Sequence, residues 1–211
     1  MSTVRTINIA LIGYGFVGKT FHAPLIQSVD GLKLAVVSSR DEEKVKRDLP
    51  DVEVVATPEE AIQHPDVDLV VIASPNATHA PLATLALNAG KHVVVDKPFT
   101  LDMQEARDLI ALAEEKQRLL SVFHNRRWDS DFLGIKQVIE QGSIGKVQHF
   151  ESHIDRFRPE VRVRWREQNV PGSGLWFDLG PHMIDQTLQL FGLPLSVQGN
   201  IATLRDGAEI N

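Results

Sequence analysis

Short runs of branched apolar residues alternate with longer stretches of helical apolar spacing over the first 123 positions. The runs at 7–12, 34–37, 69–72 and 119–123, together with Val93, Val94 and Val95, predict buried strands. A helix-like stretch at about 17–29 follows the first run. Thr57, Pro58, Glu59 and Glu60 combine a capping box with proline at the first helical position, so a helix starts there. Another helix reaches Ala89 and stops at Gly90; a further one starts at Asp102 and keeps Ala106, Leu109, Ile110 and Ala113 on one face. Strict alternation of strand and helix predicts an α/β domain with a doubly wound parallel sheet over 1–124. The pattern changes after His124, and 125–211 reads as a second domain. It offers a helix from Ser130 to about Gln141, a loosely alternating strand at 147–157 and an arginine-rich loop. A helix through Ile184, Leu188 and Phe191 comes next, ended by Gly192 and Pro194, then a strand at 197–204 and a hairpin turn at Arg205, Asp206 and Gly207.

The first strand runs into Gly13-Tyr14-Gly15-Phe16-Val17-Gly18, and strand, G-x-G-x-x-G and helix in that order form a dinucleotide-binding signature. The first glycine permits the tight turn, the second lets backbone approach a pyrophosphate, and the third packs helix against sheet. The second strand ends at Ser38, Ser39 and Arg40, where NAD binders usually carry an acid for the ribose. Two hydroxyls and a guanidinium suit a 2′-phosphate, which favours NADP(H) over NAD. Asp41 is the competing acid, one residue on. Lys44, Lys46 and Arg47 read as a solvated helix face.

Ser74, Pro75, Asn76 and His79 follow the third long strand on the crevice side of the sheet, where they line a cofactor channel or simply cap a helix. Asp96-Lys97-Pro98 ends the next strand, so Lys97 is a cation at the mouth of the cleft or an ordinary surface charge. Asp178 and His182 are four apart and share a helical face, a spacing most often met in purely structural pairs; Pro181 between them fits a helix if it lies in the first turn.

Composition narrows the partners. A hydrophobic content of 43% and charged content of 24% are those of a globular protein, and a net charge of -6 argues against nucleic acid despite the interleaved arginines and Trp165. With Cys 0 there is neither disulfide nor cysteine-ligated zinc, and the chemistry proposed for the site needs no metal. No run approaches a membrane span or a signal peptide, so no membrane association is expected and the cytoplasm is the expected compartment.

Several of these motifs together resemble the glucose-fructose oxidoreductase, inositol dehydrogenase and MocA family of NAD(P)-dependent sugar and polyol dehydrogenases. The matching residues are the glycine loop, Ser74-Pro75-Asn76 with His79, Asp96-Lys97-Pro98, and Gly172-Ser173-Gly174 with Asp178, Gly180, His182 and Asp185. Lys19 to Leu25 and Phe123 to Phe132 look like a branch that includes NADP-dependent scyllo-inositol dehydrogenases. Asp96 stands where the family more often has Glu, which keeps the charge. The resemblance implies a second domain with an open, mostly antiparallel sheet, here incomplete because family members exceed 300 residues and the chain reads as truncated. It implies homo-oligomers formed through that sheet, and hydride transfer between nicotinamide and a polyol or sugar hydroxyl. Lys97, Asp178 and His182 are implied as catalytic, with His182 as general base and Lys97 stabilising charge on the reacting oxygen. Asn125, Trp165, Arg166, Asp96 and Lys97 would join the glycine loop around the cofactor; His153 and Arg156, with Lys97, Asp178 and His182, would hold the substrate. Two other readings stay open: an NAD-dependent glycosidase of the same fold, and a catalytically impaired dinucleotide-binding fragment or sensor.

Overall fold

Branched side chains pack well on both faces of a pleated sheet, and the apolar runs form strands accordingly. The computed structural model describes residues 5–210 and divides into two units, Met1–Phe123 and His124–Asn211. The first unit carries six strands: β1 (Ile7–Ile12), β2 (Leu32–Ser38), β3 (Glu53–Val55), β4 (Leu69–Ile72), β5 (His92–Asp96) and β6 (Leu120–Phe123). They lie in the order β3-β2-β1-β4-β5-β6 and every pairing is parallel. The order reverses between β1 and β4, which places the ligand crevice beyond the carboxyl ends of those strands. The three-residue edge strand β3 has no counterpart in the sequence reading, because a run of that length carries no periodicity.

Helices cover both faces. They are α1 (Ala23–Gln27), α2 (Glu42–Asp48), α3 (Pro58–Gln63), α4 (His79–Asn88) and α5 (Met103–Glu115). Ile12, Val36, Val70, Ile72, Val93 and Val95 pack with α3, α4 and α5 in one core cluster; Ile9, Leu11, Val37 and Val71 pack with α1 and α2 in the other. Successive residues of one strand thus serve opposite cores, and nothing polar is needed on either face. The capping box at α3 is complete: Thr57 Oγ1 accepts the Glu60 N–H at 3.3 Å, and the Glu60 carboxylate accepts the Thr57 N–H at 2.9 Å.

The second unit holds α6 (Ser130–Glu140) and α7 (Gly174–Phe191). Two expectations change here. Pro181 is the eighth residue of α7 rather than a first-turn residue, and, having no N–H, it leaves the Phe177 carbonyl without its usual helical donor. The segments 147–157 and 197–204 form no ladder, and no strand occurs among the described residues of this unit, so the expected antiparallel sheet is not formed. A strand persists only where a neighbour takes up its backbone groups, and these two segments do not pair with each other. No helix among the described residues is long and apolar enough to cross a membrane.

Candidate functional site

The glycine loop leaves β1 and is held closed by backbone contacts that exclude side chains. Gly13 has φ +95°, and a Cβ there would lie 2.6 Å from the Ala73 carbonyl oxygen, so the turn into β4's end needs glycine. Gly18 opens a π-helical turn, Gly18–His22, that leads into α1. A Cβ on Gly18 would lie 2.1 Å from the Gly13 carbonyl oxygen, a backbone atom that cannot yield cheaply. Gly18→Ala is therefore expected to destabilise the first unit by about 1–3 kcal/mol, read as a lowered urea midpoint; an unchanged midpoint would refute the close packing. In front of Gly15 there is open space, room for a phosphate group against backbone.

Side chains from α2 anchor this loop, contrary to the expectation of a solvated basic face. Lys44 Nζ donates to the Tyr14 carbonyl at 2.9 Å, and Lys46 Nζ donates to the Val52 carbonyl at 2.7 Å. Asp48 receives the Tyr14 hydroxyl at 3.3 Å and Lys19 Nζ at 2.7 Å, and the Lys19 ammonium holds its carboxyl below the usual range. Tyr14 was expected to touch a cofactor; its ring is instead buried in the α1/α2 core, so only its backbone can face a ligand.

At the end of β2, Ser38 is buried and Ser39 Oγ accepts the Asp41 N–H at 3.1 Å. The competing acid is engaged elsewhere: Asp41 Oδ1 accepts the Lys44 N–H at 2.9 Å and caps α2. Arg40 is exposed, and no acid lies within ion-pair distance of it among the described residues.

Beyond β4 and β5 two loops are tied together. Thr78 Oγ1 donates to the Pro75 carbonyl at 2.7 Å, so its 2.6 Å contact with Ser74 Oγ requires the serine to donate. His79 is 1% exposed, with Nδ1 2.7 Å from the Pro98 carbonyl and Nε2 3.0 Å from the Ser74 carbonyl. Both ring nitrogens lie against backbone carbonyls, so the side chain braces the loop after β4 against Pro98. Asn76 is buried beside it in the short turn Asn76–Thr78. Asp96 Oδ1 accepts the Lys97 N–H at 2.9 Å, the Lys97–Pro98 peptide is cis, and the Lys97 side chain is half-buried.

Sequence reasoning missed His22. It is 4% exposed, its Nε2 has no hydrogen-bond partner, and its ring lies 4.2 Å from that of Phe123, the last residue of β6. Burial pushes its pKa down to about 4. No local signal marks such a residue, because the contact that buries it comes from the far end of the same unit.

In the second unit Asp178, His182 and Asp185 recur at helical spacing on one face of α7. His182 and Asp185 are buried and Asp178 is partly so. Arg127 grips Asp185 in a fork, Nε to Oδ2 at 2.7 Å and Nη2 to Oδ1 at 2.5 Å, while Gln186 Nε2 donates to the Arg126 carbonyl at 2.9 Å. These bonds fix the helix face against the turn Asn125–Trp128, which carries Asn125. The preceding His124 is pushed below its ordinary pKa by burial, partly offset by Asp185. Arg166 stacks 4.8 Å above the Trp165 ring and places Nε 3.6 Å from Asp178, so three of the expected residues do meet. His153 does not join them: it is exposed, 3.3 Å from the Glu151 carboxylate. Arg156 lines a separate cavity.

A parallel sheet with a glycine turn at its switch point, an exposed arginine after β2 and a lysine after β5 defines a dinucleotide-binding Rossmann protein. Residues 7–124 match the oxidoreductase family with an NAD-binding Rossmann fold, and residues 132–211 match the GFO/IDH/MocA C-terminal domain. The chain belongs to the GFO/IDH/MocA oxidoreductase family. It is 59% identical over 203 residues to the uncharacterized oxidoreductase YdgJ of Escherichia coli (strain K12), covering 96% of this chain and 59% of that protein. It is 43% identical over 206 residues to scyllo-inositol 2-dehydrogenase (NADP(+)) IolW of Bacillus subtilis (strain 168), covering 98% and 58%. A crystal structure of a putative oxidoreductase from Klebsiella pneumoniae superposes with TM-score 0.90 at 87% identity, again over 98% of this chain and 58% of the other. The chain thus spans about three fifths of the length of these relatives.

Proposed function

We propose that the chain carries the dinucleotide domain and catalytic groups of an NADP(H)-dependent dehydrogenase acting on a hydroxyl of an inositol-like polyol or a sugar. The observation that carries the cofactor half is at the end of β2: Asp41 is spent as a helix cap while Arg40 is exposed and meets no acid among the described residues. The residues present fit a dinucleotide, with open space before Gly15 for the pyrophosphate and the exposed Arg40, beside Ser39, for the ribose phosphate. The substrate half is supported by IolW, which is a scyllo-inositol 2-dehydrogenase using NADP(+).

Bound on that loop, NADP+ supplies the hydride acceptor at C4 of its nicotinamide. His182 takes the hydroxyl proton while the carbinol C–H leaves as hydride, so the alcohol becomes a ketone and the imidazole an imidazolium. Lys97 donates to the same oxygen and stabilises the negative charge that develops there. Asp178 orients the imidazole or bonds a neighbouring hydroxyl, and Trp165, Arg166, Asn125 and Asn76 complete the cofactor's surroundings. The same reading places the protein in the cytoplasm. It also has copies associating through the second unit, and the exposure of Val197 and Leu204 supports that.

Fluorescence titration tests the cofactor assignment. Arg40→Ala should weaken NADPH about 10- to 100-fold, the worth of a charge-assisted fork, and leave NADH within about twofold. Equal losses for the two cofactors would refute the 2′-phosphate role.

A further inference from the structure

The second unit contains a cavity of about 330 Å³ whose polar lining is Arg156, Arg158, Arg164, Arg205 and Glu167. Four guanidinium groups therefore face one carboxylate. Glu167 is 7% exposed and fully used: Oε1 accepts Arg164 Nε at 3.1 Å and Nη2 at 2.8 Å, and Oε2 accepts Arg205 Nη2. Arg205 Nη1 is further held by the Glu160 carbonyl at 3.4 Å. Two of the guanidiniums are thus fixed in place, whereas Arg156 and Arg158 meet no acid within ion-pair distance among the described residues. Burial and then the crowding of Arg162, Arg156 and Arg164 pull Arg158 below the usual arginine range. Such uncompensated like charge costs free energy unless an anion joins the cluster. Leu175, Leu204 and Phe157 also line the cavity, the last two almost fully exposed at its mouth.

We propose that this arginine-lined cavity binds the phosphate group of a phosphorylated sugar or polyol. A phosphate monoester carries about −1.5 to −2 charge at neutral pH and three acceptor oxygens, which matches the excess of guanidinium groups better than a carboxylate does. The volume suits one small molecule. The proposal rests on the reading of the chain as a sugar or polyol dehydrogenase, from which the class of the phosphorylated ligand is taken.

Calorimetric titration of the full chain at constant ionic strength tests it, with inorganic phosphate, glucose 6-phosphate and glucose as probes and no cofactor present. Glucose 6-phosphate should bind at least about tenfold more tightly than glucose. Arg156→Gln combined with Arg158→Gln should remove most of that advantage and weaken inorganic phosphate about tenfold. Arg162→Gln, on the same segment but outside this cavity, should change either by less than about twofold. Equal binding of the two sugars would overturn the proposal. So would equal losses in Arg162→Gln and the double variant, which would mean diffuse charge, or displacement of phosphate by NADP+, which would make the cofactor the occupant. The titration reads heat without turnover. Its failure would leave hydride transfer to neutral polyols standing, and a failed hydride transfer would leave phosphate binding standing.

Discussion

Lys97→Ala should lower kcat by about 100- to 1,000-fold while NADPH affinity stays within a few-fold, because the lost interaction matters chiefly when charge develops on the substrate oxygen. The residue ends a strand whose neighbours are fixed: Val93 and Val95 are fully buried, Asp96 caps the Lys97 N–H, and His79 braces Pro98 against the Ser74 carbonyl. The first unit should therefore fold normally without the ammonium. His182→Ala should cost a comparable factor, about 100- to 10,000-fold, since its imidazole is the proposed base. Near-normal turnover in either variant, with melting curves unchanged, would remove that residue from the mechanism.

His22 should dominate the acid sensitivity of the first unit. Its folded-state pKa is about 4 because burial disfavours the imidazolium, whereas an unfolded chain titrates it near 6.5. Between those values the unfolded chain binds more protons, so stability rises with pH across the window. The contribution is complete above about pH 6.5, is lost as the pH falls toward 4, and does not change further below that, where both states are protonated. The shift corresponds to roughly 3 kcal/mol. His22→Leu removes the titrating group and keeps an apolar contact with Phe123, so the variant's urea midpoint should fall much less than the parent's between about pH 7 and about pH 4.5. Parallel falls would show that His22 does not charge on unfolding in this window.

The parts of the structure that were legible beforehand are those encoded locally. Capping of α3 by Thr57 and Glu60, the cap at Asp102 and the stop at Gly90 each depend on residues within a turn or two, and each stands where the sequence placed it. The parallel sheet follows from period and alternation. What escaped the sequence depends on contacts far along the chain. Lys44 reads as a surface lysine until Tyr14 lies beside it, and His22 reads as a helix residue until Phe123 stacks on it. Asp185 is an intermediate case: its spacing from Asp178 and His182 was visible, but its partner Arg127 lies 58 residues earlier. Pro181 shows the reverse error, a local rule overruled, since the surrounding apolar face of α7 carries the helix through a residue that breaks its hydrogen-bond ladder. The segments 147–157 and 197–204 alternate as strands should, yet alternation supplies no partner, and without one no ladder forms.

Direct hydride transfer moves a carbon-bound hydrogen of the polyol onto NADP+ without exchange with water. Incubating the chain with NADP+ and inositol deuterated at its ring carbons, then weighing the recovered cofactor, tests it most directly. The recovered NADPH should be heavier by one deuterium, in amounts matching the ketone formed, and should form about 100- to 1,000-fold more slowly in Lys97→Ala. Unlabelled cofactor, or sugar released from a glycoside with no net reduction of NADP+, would contradict it.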